Sequence, residues 1–597
     1  MKWKTFKFFI QMVKGGKGNF NFSLFWQEKK GNVSMKEIKI TKNDFPTYFG
    51  GFGFHNNEAM FYPLIEREHF NQKICKCYRE ISPGFMRTFG GYSDWTKEHM
   101  DAFAEYYEKM QKWTDTPIYF ACAKGKYHFS DEERMQYAED VAKNLDYLIN
   151  EKDVKQIRYY CFSNEMSMND WGGLLGDLPL FQKYHEMLFR AFQNRKLRIG
   201  LLATDASSTD NWNTVDYAIQ NMKRITEDFC LHAYLPSDAE YEGGFYQWFY
   251  KLCYDTVLKC CKCDGKRLIL GEFGFKGPNS FVYKNGVIED VNSFSYMGEG
   301  ASVALMYAEA ALAAINAGVF AMVIWTFIDY PDPYTCHYAE RDPYAKKWGM
   351  CEPFISETQD VKYNKYGLMK WEDDGDYSVR EMYWCLGLIA KYCKRNAKVL
   401  DIEIDDPMIH AAALMNRDGS ISIAVVNRNT ETTPLKLKLN LKNIRKQQPM
   451  RVYEYDSRNV CRNEFGDLQE PSATLSIQDI GDVEYTFLPQ SFTILTTDYK
   501  TRETEVYAAN VERNDNWLRW QPVDEEEHCY YRVYRGKTPD FKPSPQNQIA
   551  STVDTAIDFG ARYLDDSAIL NVEGDYYKVL SVDRSGNGLL KKWKQIR

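Results

Sequence analysis

The chain has 597 residues, of which 15% are aromatic and 26% charged, with a net charge of −8. That length exceeds what one hydrophobic core organises and predicts two to four domains. Lysine and arginine are spread throughout rather than gathered into a stripe, which argues against a nucleic-acid groove, and no apolar run is long enough to span a membrane.

Residues 1–34 read as a poorly structured segment. Met1–Val13 carries basic residues and a short apolar patch but neither the continuous apolar core nor the small-residue cleavage site of a secretory signal, and Met35 is an alternative starting residue. From Lys36 the segment KEIKI alternates, and Tyr48–Phe54 (YFGGFGF) follows as a glycine-rich strand whose glycines permit a bulge or close backbone approach. Seven more strand-like runs come in order: Phe85–Gly90, Pro117–Ala123, Gln156–Ser163, Leu197–Asp205, Phe229–Tyr234, Arg267–Phe273 and Val319–Phe327. Between them lie patterns of helical period. One holds Met100, Phe103, Tyr107 and Met110; another holds Met135, Ala138, Val141, Leu145 and Leu148 behind a Ser130–Glu133 capping box; a third follows Pro179, and Ala301–Ala317 is alanine-rich. Eight strands alternating with helices predict an α/β fold, a (β/α)8 TIM barrel over residues 35–396, rather than an open doubly wound sheet. Gly50-Gly51-Phe52-Gly53 leads into FHNNEAM and not into a helix start, so no dinucleotide fingerprint follows a strand.

Two connections are long, Lys276–Gly300 and Ile328–Tyr377, the second holding Tyr330, Tyr334, His337, Tyr338, Tyr344 and Trp348. Long loops at the C-terminal face of a barrel shape a substrate cleft, although a lid packed on itself would bury the same aromatics. Past Lys394 the helical period disappears. Val399–Ile404, Ala411–Leu414, Ser420–Val426, Leu435–Leu441, Met450–Tyr455 and Tyr485–Leu495 predict a β-sandwich over 397–500.

The 15 cysteines form no even framework, and Cys161, Cys230 and Cys385 sit inside apolar runs as small hydrophobes. This favours a reducing, cytoplasmic setting. Cys260, Cys261 and Cys263 invite a metal reading, but no second cysteine or histidine pair follows at zinc spacing, and the end of a helix accounts for them better. Neither a metal nor another cofactor is expected.

Candidate chemistry lies where strands end in carboxylates. Asn164–Glu165 closes the fourth strand and Glu272 the seventh; His232 and Tyr234 close the sixth, Trp325 the eighth, and Arg87 lies on the second. The C-terminal edge of a barrel is where active sites sit, and two carboxyl groups on opposite walls are what glycoside cleavage requires. Each residue has a plainer reading. A lone glutamate at a strand end is usually solvated, His232 can be a core histidine, Arg87 a salt bridge across the barrel, and Trp325 packing at the barrel top. The 42 tyrosines and 14 tryptophans supply flat faces for stacking on sugar rings, though most serve the core.

Strand by strand, these residues resemble the clan A glycoside hydrolases, in which the acid/base glutamate ends the fourth strand after asparagine and the nucleophile ends the seventh. Residues 501–597 resemble a fibronectin type III domain, with Trp520 in LRWQPV, Tyr531–Tyr534 and Tyr577–Val582 placed as its core tryptophan and Tyr-x-Val strand. Barrel, sandwich and fibronectin-like module together look most like glycoside hydrolase family 39, the family of β-xylosidase and α-L-iduronidase, with Met166 standing where that family usually has proline. The resemblance implies that Lys36–Ile40 joins the sandwich, that Glu165 is the general acid/base and Glu272 the nucleophile, that Asn164 bonds the sugar 2-hydroxyl, and that Tyr234 partners Glu272. It places His232, Arg87 and Trp325 around the cleaved sugar.

The expected protein is therefore a retaining glycoside hydrolase of carbohydrate metabolism, exo-acting on an oligosaccharide or glycoside, without nucleic-acid or membrane partners. An endo-acting glycanase of the same clan and a non-catalytic carbohydrate-binding barrel stay open. Fibronectin-type modules are common outside cells, so a secreted protein is the alternative to a cytoplasmic one. Sugar, linkage, anomeric configuration and oligomeric state are not readable from the residues.

Overall fold

The structure is a computed structural model. It describes residues 36–590, 595 and 596, apart from 43–46, 57–69, 111–113, 123–127, 167–175, 238, 277–280, 285–286, 291–299, 332–362, 365–366, 372–376, 442–447, 461, 477–480, 515 and 560–574. The N-terminal segment 1–34 and Tyr334, His337, Tyr338, Tyr344 and Trp348 of the second long connection lie outside these residues.

Eight parallel strands close into a barrel: Gly51–His55, Phe85–Phe89, Ile118–Ala121, Ile157–Cys161, Gly200–Ala206, Asp228–Pro236, Leu268–Lys276 and Ala321–Ile324, numbered first to eighth below. Closure is made by the eighth strand pairing the first, Ala321 opposite Gly51 through Ile324 opposite Phe54. The first strand comes so close to the second that a β-carbon on Gly53 would meet the Phe85 carbonyl oxygen at 1.7 Å, which is why glycine stands there. Helices cover the outside. Lys97–Met110 turns Met100, Phe103, Tyr107 and Met110 inward, and Ser130 caps Asp131–Asp146 with the reciprocal Glu133 bond in place. Met135 differs from its expected place: it is 50% exposed, and Tyr137 takes the inward position instead.

Strand Lys36–Thr41 leaves the barrel and pairs with Asp401–Ile404 and Thr433–Asn440, in a four-stranded sheet completed by Asp482–Phe487. This sheet faces a seven-stranded one that includes Ile409–Met415, Ile421–Asn427, Met450–Asp456 and Ser491–Thr496. The second sheet is buried on both sides. Ala411, Ala413, Ile423, Val425 and Leu495 enter the sandwich core, while Ala412, Leu414, Ala424, Val426, Tyr453, Phe492 and Ile494 join the barrel core. Two apolar faces explain why these strands read as continuous hydrophobic runs. The run Tyr485–Leu495, expected as one strand, is two strands in different sheets: Pro489 lacks an N–H and Gln490 takes φ +48°, so the chain turns between the layers there. Val399–Ile404 is likewise split, Lys398–Val399 pairing in one sheet and Asp401–Ile404 in the other.

Beyond residue 500 two three-stranded sheets enclose a small core in which Trp520 packs edge-on against Tyr531 at 5.5 Å. All three parts meet at a buried ionic joint. Lys76, on the barrel helix Cys75–Ile81, contacts Asp467 at 2.5 Å and Glu80 at 2.8 Å; Arg532 contacts Asp467 at 2.9 Å, and the Tyr530 hydroxyl donates to Glu80 at 3.0 Å. Burial works against the Asp467 charge, but Lys76 and Arg532 hold this carboxyl well below the usual range. Its contribution is therefore complete above the ordinary aspartate pKa of about 4 and is lost as pH falls toward the depressed folded value. Replacing Lys76 by methionine strands buried carboxylates and is expected to cost about 3–5 kcal/mol, read as a lowered urea midpoint of the full chain.

The described cysteines include no disulfide, and eleven of the twelve are buried. Cys260 and Cys261 lie at the end of helix Phe245–Lys262, with Cys263 at its C-cap.

Candidate active site

The barrel register sets the site. His55 on the first strand stands opposite Arg87 on the second, Arg87 opposite Tyr119 on the third, and His232 on the sixth opposite Glu272 on the seventh. One ring of side chains therefore faces inward at the C-terminal rim, where apolar strand interiors give way to polar ends.

Arg87 is the hub. Fully buried, it donates through Nη1 to Glu272 Oε1 at 2.5 Å, and through Nη2 to Asn164 Oδ1 at 2.6 Å and Asp205 Oδ2 at 3.1 Å; Nη1 also reaches His55 Nδ1 at 3.1 Å. Tyr234 donates from its hydroxyl to the other Glu272 oxygen at 2.5 Å. Two charge-assisted donors thus stabilise negative charge on Glu272. Because Asn164 Oδ1 is taken by Arg87, its amide nitrogen is the group left to donate.

Glu165 faces Glu272. One carboxylate oxygen of each, with a ring nitrogen of His232, lie within 4.8 Å of one another. Glu165 Oε1 is 3.1 Å from His232 Nδ1. Burial pushes the Glu165 carboxyl above the usual range; the charge of Glu272 adds to this and the His232 hydrogen bond opposes it. Glu165 also takes a left-handed backbone, φ +50°, uncommon for a residue with a side chain.

His232 is buried but is no ordinary core histidine: Nε2 lies 3.0 Å from Asp205 Oδ1 and Nδ1 points at Glu165. Burial opposes its charge, yet Asp205 and Glu272 carry its pKa well above the usual value. The Trp212 indole pins the strand by donating to the His232 carbonyl at 2.8 Å. Trp325 is 7% exposed and packs against His55 and Phe89, with ring centroids at 4.2 and 5.6 Å. Behind it Asp329 pairs with Arg380 at 2.5 Å, and burial pushes the Asp329 carboxyl up to about 6.

All seven residues singled out from the sequence, Arg87, Asn164, Glu165, His232, Tyr234, Glu272 and Trp325, thus gather at one rim. Four more belong to the same ring and were not singled out. Asp205 ends the fifth strand, His55 the first, Tyr119 lies on the third, and Cys230 precedes His232 by two. For His55, burial, Arg87 and His232 all lower the pKa, which keeps the imidazole neutral, and its Nε2 has no hydrogen-bond partner among the described residues. The signal for Asp205 was the one used for Glu165 and Glu272, an acidic residue stopping an apolar run, LLATD.

Two trios have metal-compatible spacing, Asp205–Cys230–His232 and Glu165–His232–Glu272. In both, the donor atoms already bond to one another or to neighbours, and an added cation would sit against the Arg87 guanidinium. The donors fit a hydrogen-bonded cluster better than a metal shell.

No family model and no curated protein matches the chain. Among solved structures, the fold is similar to the catalytic domain of the GH30 xylanase C from Talaromyces cellulolyticus, at 13% identity and TM-score 0.51, over 77% of this chain and 99% of that one. It is also similar to the GH51 arabinofuranosidase from Xanthomonas axonopodis pv. citri, at 14% identity and TM-score 0.50 over 77% and 99%. The family 51 α-L-arabinofuranosidase AbfB from Bifidobacterium longum aligns at 13% identity and TM-score 0.50 over 78% and 100%. These neighbours are clan A glycoside hydrolases, and at such identity the likeness is one of fold: a closed parallel barrel with a β-sandwich attached.

Proposed function

We propose that this chain is a retaining glycoside hydrolase. The observation that carries the reading is the approach of Glu165 and Glu272, whose carboxylate oxygens lie within 4.8 Å across the barrel mouth. Retaining enzymes hold their two carboxyl groups about 5–5.5 Å apart, whereas inverting ones leave about 6.5–9.5 Å for a water.

In the first step a Glu272 oxygen attacks the anomeric carbon while Glu165 gives its proton to the departing glycosidic oxygen; the carbon–oxygen bond to the leaving group breaks as the ester to Glu272 forms. In the second, Glu165, now a carboxylate, takes a proton from water whose oxygen displaces Glu272. The raised Glu165 pKa suits this alternation, because its proton is retained to higher pH than on an ordinary carboxyl and is released more readily once esterification removes the Glu272 charge. Asn164 would donate to the sugar 2-hydroxyl, and Arg87, His232, Tyr234 and Trp325 would line the sugar subsite. The exo preference rests on the sequence resemblance and the two long connections; the family 39-type architecture, with residues 501–597 as a fibronectin type III-like accessory, rests on the sequence resemblance and is supported by strand Lys36–Thr41 in the sandwich and the two-sheet C-terminal unit.

A screen of nitrophenyl pentosides, hexosides and uronides tests the proposal. Wild type is expected to hydrolyse one class, and Glu165→Ala to keep cleaving an activated aryl glycoside only to a stalled glycosyl-enzyme that added azide releases. Equal background rates for wild type and Glu272→Ala across the screen would leave a binding protein.

A further inference from the structure

Asp205 has no role in the two-step scheme, yet it is the most heavily bonded acid of the site. It is fully buried; Oδ1 accepts from the Tyr119 hydroxyl at 2.7 Å, lies 3.0 Å from His232 Nε2 and accepts from Cys230 Sγ at 3.1 Å, while Oδ2 accepts from Arg87 at 3.1 Å. Its backbone is left-handed, φ +55°, a conformation that Glu165 shares. Such backbone is disfavoured for a residue with a side chain and persists only where the surroundings impose it. The neighbouring seventh strand is cut away to fit: a β-carbon on Gly271 would lie 2.4 Å from Cys230 Sγ, 3.2 Å from His232 Nε2 and 3.3 Å from Asp205 Oδ1.

A carboxylate that accepts from Nε2–H fixes which way the ring is turned. Nε2–H must face Asp205, so Nδ1 always faces Glu165. We propose that Asp205 is a positioning residue that acts through His232, locking the imidazole so that Nδ1 and Glu165 Oε1 share a hydrogen bond throughout turnover. This rests on the retaining-hydrolase reading of the same site. When Glu165 surrenders its proton to the leaving oxygen, the new carboxylate receives the Nδ1–H of the imidazolium. When Glu165 later takes a proton from water, that hydrogen bond relaxes, and His232 ends with the hydrogens it began with. The groups facing His232 are Asp205 from the fifth strand, Glu165 from the fourth, Glu272 from the seventh, Cys230 and Tyr234 from its own, and Arg87, Tyr119 and His55 from the second, third and first. Burial opposes its charge, and Asp205, ahead of Glu272, is the largest influence that favours it.

The test uses the full chain with labelled histidine, the His232 signals being assigned by their loss in His232→Gln. Wild type is expected to show Nε2 protonated and a ring that deprotonates well above the ordinary value of about 6.5, whereas in Asp205→Asn the ring should titrate clearly lower than in wild type. The same variant should lose at least ~10-fold more kcat/KM on an alkyl glycoside, which needs the acid, than on a dinitrophenyl glycoside, which does not. A wild-type His232 that titrates normally overturns the proposal without any variant having to fold. So does unchanged titration in Asp205→Asn, or an equal loss on both substrates, which would make Asp205 structural only. The titration requires no turnover, so failure of the hydrolase reading, seen as Glu272→Ala matching wild type, remains separately visible.

Discussion

Glu272→Gln is expected to lower kcat/KM on the cognate aryl glycoside by ~10⁴-fold or more, the scale seen when one member of a concerted catalytic unit is removed. The side chain keeps its volume and can still meet Arg87 and Tyr234, but its amide cannot form the glycosyl ester. The fold should tolerate the change, because the substitution also removes one of the negative charges confined near Glu165 and Asp205. One further consequence separates this from simple damage. With Glu272 uncharged, the contribution that its charge makes to the raised Glu165 pKa disappears, so Glu165 should titrate lower in the variant than in wild type, a shift readable by carboxyl-labelled difference spectroscopy.

Arg87→Met should be the most destabilising single change in the barrel mouth. It leaves Glu272 and Asp205 as buried carboxylates without their guanidinium, and breaking a buried pair from one side costs about 3–5 kcal/mol. Arg87→Lys keeps the charge but cannot span Glu272, Asn164 and Asp205 at once, since a lysine offers a point charge where arginine offers a fork. We expect it to fold and to lose about 10²–10³ in kcat, the scale of removing one preorganised donor. Thermal unfolding of both variants beside activity of the lysine variant checks the pair; a lysine variant with wild-type turnover would mean that the Arg87 fork does not organise the site.

The site was half legible in the sequence, for a physical reason. Glu165 and Glu272 end apolar runs, and that local signal needs no knowledge of the partner strand. Asp205 and His55 carry the same signal, but their meaning depends on closure. Only the pairing of the eighth strand with the first, and the resulting approach of the second strand to the fifth across the barrel, turn a polar strand end into a ligand of Arg87. Long-range pairing of this kind leaves no mark in any short window of residues. The same limit explains Tyr485–Leu495, where an apolar run crosses between two sheets, and Met135, whose helical spacing fits the buried stripe while its side chain is exposed. The Ser130 capping box, by contrast, is a contact between residues three apart and was readable directly.

The most direct test of the central claim is covalent labelling by a panel of epoxide-bearing cyclitol mimics of pentoses, hexoses and uronic acids, followed by mass spectrometry of the protein. One mimic is expected to add a single mass to wild type, carried by Glu272 in the peptide spanning residues 268–276, and to leave Glu272→Gln unlabelled. Wild type that stays unlabelled across the panel, or that carries its label on another residue, would contradict a nucleophilic Glu272.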